Sequence, residues 1–100
     1  MNIMQGDAYP VGFDIVDLNG AKITPAAVSE IEIVLNGVRK TYTAGEVYFD
    51  DRWYFPLTQE ETFAMPEVGK CHVRVKSGDV VIGEYVEPVY MIEGQSKEVL

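Results

Sequence analysis

Apolar and polar residues alternate along most of this chain with a period of two, as in strands that have one buried and one wet face. From Gly69 to Lys76, Cys71, Val73 and Val75 alternate with His72, Arg74 and Lys76. A turn at Ser77-Gly78 would place Lys76 opposite Asp79, Val75 opposite Val80 and Val73 opposite Ile82, gathering the apolar residues on one face. On this pattern Val73→Asp should be severe and Arg74→Asp nearly neutral. Val11, Phe13 and Ile15 form an earlier strand that ends at the Asn19-Gly20 turn. Ile31, Ile33 and Leu35 form another, followed by Asn36-Gly37, a strong hairpin signal. A strict two-residue turn there sets Lys40 on the face of Ile33, so the pattern predicts a bulge or a longer loop. Val47 to Phe49 and Trp53 to Phe55 pair across an acidic, exposed loop at Asp50-Asp51, and Tyr85 to Ile92 gives a last strand.

Two segments break the alternation. Thr24-Pro25 precedes Ala26 to Ser29, and a threonine cap with proline at the first helical position predicts a single helical turn. Thr58 with Glu61 matches a capping box, so Gln59 to Ala64 should form a short helix before Pro66. That helix would cross between two sheets, with Phe63 or Met65 closing the end of the core.

Composition narrows the picture. The chain has 100 residues, 47% of them hydrophobic and 24% charged, with a net charge of -8. That is one packed domain, able to bury roughly 60 to 70% of its unfolded surface. An acidic surface repels phosphate backbones, which argues against nucleic acid as a partner. Cys71 is the only cysteine, so an internal disulfide is excluded. The first cation is Lys22 and no apolar run reaches the length of a membrane span, so the expectation is cytoplasmic synthesis with no membrane partner.

Gly6-Asp7 before an alternating strand, then Asp17-Leu18-Asn19-Gly20, form the opening of a recognisable series. Leu57-Thr58, Glu61-Thr62, Pro66 and Gly69 before Val73 and Val75 form its later corner and hairpin. This order resembles the small immunoglobulin-like β-sandwich modules of tail, baseplate and tail-fibre proteins in phages and prophages of Gram-positive bacteria. Ile23-Thr24-Pro25-Ala26 departs from it, standing where those modules have a polar turn. The resulting expectation is an all-β, immunoglobulin-like antiparallel β-sandwich of about seven strands with one short helical turn. It would occupy residues 1–92, with 93–100 a polar tail. The resemblance implies a non-enzymatic structural or adaptor module of a virion or phage-like particle, with no cofactor and no catalytic residues. Its partners would be other tail or baseplate proteins, or further copies of itself.

Four further residue groups bear on chemistry. Cys71 and His72 are metal-ligand types, but neighbours on a strand point to opposite faces. Glu46, Asp50 and Asp51 lack the spacing of a dedicated Ca²⁺ loop, and Glu60 with Glu61 suits a helix start. Asp50 and Asp51 remain candidates for binding a basic protein partner. Tyr48, Trp53 and Tyr54 offer an alternative function, an aromatic platform for a glycan in host recognition, although a lone tryptophan also serves a core.

Overall fold

The structure is a computed structural model that describes the backbone of residues 1–100 and every side chain except that of Tyr85. In chain order the strands are β1 (Asn2–Met4), β2 (Pro10–Phe13), β3 (Glu30–Leu35), β4 (Val38–Thr41), β5 (Tyr48–Asp50) and β6 (Arg52–Pro56). Helix α1 (Gln59–Ala64) follows, then β7 (Val68–Ser77) and β8 (Val80–Ile92). The protein is all-β in character: a five-stranded sheet ordered β1-β8-β7-β3-β4 and a three-stranded sheet ordered β2-β6-β5. The core lies between them. Ile31, Ile33, Leu35, Cys71, Val73 and Val89 come from the larger sheet, and Val11, Phe13, Trp53 and Phe55 from the smaller.

Several expectations change in detail. Eight strands form where about seven were expected, because Asn2–Met4 pairs with Tyr90–Ile92, and it does so in parallel. Only Ile3 of that strand is buried, and three residues are too few to show a period. The Asn36-Gly37 turn is a strict two-residue turn, with φ of 49° and 89° and Leu35 paired to Val38. Lys40 therefore does lie opposite Ile33. No bulge is needed, because its ammonium donates to the Pro56 carbonyl at 2.5 Å and to Glu61 Oε1 at 2.9 Å. It also sits 4.9 Å from the Phe55 ring centre.

The capping box forms as expected: Glu61 N–H donates to Thr58 Oγ1 at 3.1 Å and Thr58 N–H to Glu61 Oε1 at 2.9 Å. Helix α1 links the smaller sheet to the larger, and Met65 is buried at its end while Phe63 is half-buried. At the other helical turn, Pro25–Ala27 is a 3-10 turn that Thr24 precedes without a side-chain cap. The tail folds back: Gly94 N–H and the Lys97 ammonium both donate to Gln5 Oε1, and Leu100 N–H donates to Gln59 Oε1.

Candidate docking surface

Strands β7 and β8 form a hairpin with positive φ at Gly78 and Ser77 paired to Val80. The turn is Gly78-Asp79, one residue later than expected. Each pairing therefore shifts by two residues, so Val75 meets Ile82 and Val73 meets Glu84. An even shift preserves which residues share a face. Val80, Ile82 and Glu84 lie on the core-facing side together with Val73 and Val75.

They are nevertheless open to water. Val73 is buried and Val75 half-buried, but Val80 is 59% and Ile82 61% exposed. The smaller sheet does not reach the hairpin tip, so the apolar face continues beyond the core. Thirteen residues at ~3.3 Å each extend about 43 Å, close to the molecule's long dimension of 44 Å.

A β-bulge divides β8. Cys71 pairs with Glu87 but His72 pairs with Tyr85, which leaves Val86 as the extra residue. Before it, even-numbered residues face inward; after it, Glu87, Val89 and Met91 do. The bulge also divides the outer edge. Strand β1 covers Tyr90–Ile92, and the Met1 ammonium donates to the Pro88 carbonyl at 2.9 Å and Glu87 Oε2 at 3.2 Å. From Val80 to Val86 no strand of the chain lies along this edge.

The acidic loop is arranged differently. Asp50 and Asp51 are exposed, with Asp50 paired to Arg52 and Asp51 at φ 62°. Lys22 donates to Asp51 Oδ1 at 2.8 Å, and Arg52 donates to Asp14 Oδ1 at 2.8 Å. The Lys22 hydrogen bond holds the Asp51 carboxyl below its ordinary range. Asp51 is thus already paired with a cation from another segment, and Arg52 is paired with Asp14.

The three aromatic candidates do not share a surface. Trp53 is 1% exposed, donates Nε1–H to the Ile23 carbonyl at 2.8 Å, and meets the rings of Tyr42 and Phe49 at 5.1 Å each. Tyr48 and Tyr54 are cross-strand partners that stack at 5.2 Å and 22° on the opposite face of the smaller sheet.

Cys71 is buried, and desolvation, with Glu87 adding to it, pushes its thiol up to about 12. His72 lies on the other face, exposed. Burial pushes the Glu61 carboxyl up, but hydrogen bonds from Lys40 and Thr58 outweigh that and lower it. Among the described residues no three His, Cys, Asp or Glu side chains gather where they could hold a metal ion. A shallow groove of about 470 Å³ runs between the Asn36-Gly37 turn and α1, with Glu60 and Glu61 on its wall. Among the described residues no helix is long and apolar enough to cross a membrane.

Two polar groups have partners that the sequence pattern did not foresee. One is Lys40, described above. The other is Glu32, on the outer face of the larger sheet, buried at 6% exposure. Arg74 donates to it through Nε at 2.5 Å and Nη2 at 2.8 Å, and Arg39 through Nε at 2.5 Å. The Arg74 hydrogen bonds, and against desolvation the single one from Arg39, bring its carboxyl down to about 2. The signal was available: Glu32 lies opposite Arg74 once β3 and β7 are paired.

Comparison with known protein families, curated proteins and solved structures finds no match to this chain.

Proposed function

We propose that the chain is a non-enzymatic structural or adaptor module that works by protein–protein contact. The resemblance of its sequence to tail, baseplate and tail-fibre modules supplies the setting, a phage or phage-like particle. The observation that carries the reading is the projecting β7–β8 hairpin, whose apolar face stays open at Val80 and Ile82. An apolar face that continues past its own core is a recurrent mark of a docking surface.

We also infer that the sandwich is immunoglobulin-like. Strands β8-β7-β3-β4 follow the order G-F-C-C′ of a variable-type domain, and β2-β6-β5 follow B-E-D. The buried tryptophan departs from antibody domains, standing on β6 where they have it on strand C.

The test is retention of named partners. A tagged chain in cells producing the particle should retain tail or baseplate proteins, and Val80→Lys/Ile82→Lys should lose them without losing thermal stability. Retention unchanged in that variant, or no particle component retained by the parent chain, would refute the docking role. The glycan alternative now rests on the Tyr48–Tyr54 stack alone. Shifts of those two rings on titration with a host glycan would favour it.

A further inference from the structure

We propose that the β8 edge from Val80 to Val86 accepts an extended strand from a different chain, running antiparallel to β8 and carrying a Lys/Arg-x-apolar-x-apolar pattern. This deepens the docking reading and rests on it.

Three features set the pattern. The edge is open only in this stretch, because β1 occupies Tyr90–Ile92 and Met1 covers Glu87 and Pro88. An added strand takes hydrogen bonds from the edge and specificity from alternate side chains. On the core-facing side its alternate residues meet Glu84, Ile82 and Val80 in that order, since Glu84 shares the face of Val73. Apolar side chains opposite Ile82 and Val80 would complete the core that the smaller sheet leaves short, and a cation would answer Glu84. Strand β8 contains no Lys or Arg of its own. Its only other carboxylate, Glu87, already holds the Met1 ammonium.

Charge decides between occupants. A second copy brings another -8, and paired antiparallel about Ile82 it would set each Glu84 opposite a Val80, with no cation to answer it. A basic strand from another chain meets the opposite sign. The bulge at Val86 limits the added strand to the tip half of β8, since it breaks the ladder there.

The probe is a capped peptide, Ser-Lys-Thr-Ile-Thr-Val-Ser, titrated into the intact protein by NMR. Amide shifts confined to residues 80–86, with slowed amide exchange there, are expected. The same residues reordered as Ser-Lys-Thr-Thr-Ile-Val-Ser lose the alternation and should bind at least fivefold more weakly. Glutamate in place of the lysine should weaken binding about three- to fivefold, and Glu84→Lys should invert that preference. Equal binding of alternating and reordered peptides, shifts elsewhere, or no shift at millimolar peptide would overturn the proposal. So would concentration-dependent self-association protecting the same amides, which would assign the edge to a second copy. If no peptide binds but Ile82→Lys still loses the particle partner, strand addition fails and docking by the apolar face stands. If neither effect occurs, both fail.

Discussion

Substituting Gly69 by alanine tests how tightly β7 packs under the Asn36-Gly37 turn. A Cβ at Gly69 would lie 1.4 Å from Asn36 Oδ1, 2.5 Å from its Cγ and 3.2 Å from its Cα. Gly69 does not have a positive φ, so its backbone accepts alanine and the cost is steric. Asn36 is 3% exposed and donates Nδ2–H to the Pro66 carbonyl at 3.0 Å. Alanine must evict that side chain, losing a hydrogen bond of about 1 kcal/mol and adding about 1–3 kcal/mol of overpacking. The expected loss is about 2–4 kcal/mol, or a fall in Tm of about 10 °C or more. Asn36→Gly should cost little beyond the one bond, because its φ of 49° suits glycine and its Oδ1 has no hydrogen-bond partner. In that background Gly69→Ala meets mainly the Asn36 Cα, and should cost about 1 kcal/mol or less. Urea unfolding of the four proteins should thus give a coupling of about 2 kcal/mol. Losses that add to within about 0.5 kcal/mol, or a Gly69→Ala protein as stable as its parent, would refute the clash.

Other outcomes follow from the same geometry. Glu32, at about 2 instead of 4.5, stabilises the fold above its unfolded value, and that contribution is lost as pH falls from about 5 to about 2. The full shift corresponds to ~3 kcal/mol, which the exposed guanidiniums reduce to about 1–2 kcal/mol; Glu32→Gln should flatten the acid side of a urea-midpoint profile by that amount. Val73→Asp should cost more than about 3 kcal/mol, whereas Lys70→Asp, on an exposed position, stays within about 0.5 kcal/mol. Arg74→Asp should fall between these by thermal melts, not near neutrality, because it sets a carboxylate opposite Glu32. The Cys71 thiol should resist alkylation at pH 8 until the protein unfolds, and labelling at the native rate of a free thiol would contradict its burial. Trp53 emission should be shielded from iodide and unmoved by glycans, since the ring is enclosed.

Most strands were legible because alternation and turn residues agree, as at Ile31, Ile33 and Leu35 before Asn36-Gly37. What failed was whatever depends on a distant partner. Lys40 looked misplaced because its acceptors, Pro56 and Glu61, come from elements that no local pattern connects to it. Strand β1 was invisible because its pairing is with the far end of the chain. The β7–β8 turn slipped by a residue because Ser77-Gly78 and Gly78-Asp79 both read as turns, and positive φ at Gly78 serves either. Alternation told which side of the hairpin is apolar. It could not tell that the opposing sheet stops short, because reach is a property of two sheets and not of one strand. The same limit applies to Trp53, whose type suits a platform or a core equally until its neighbours are known.

The parallel pairing of β1 with β8 also dictates an order of events. Met1 reaches Pro88 across a separation of 87 residues, and closing a loop of that length costs about 4 kcal/mol of chain entropy. Of these eight strands, β1 is made before the others and yet must wait for β8, the last of them. At ordinary synthesis rates it waits roughly 5 to 20 seconds for its partner to be made. During that interval the ladders β3–β4, β5–β6 and β2–β6 can assemble from residues already present. Completion of the larger sheet then acts as a clasp, set only when the whole sandwich has been translated.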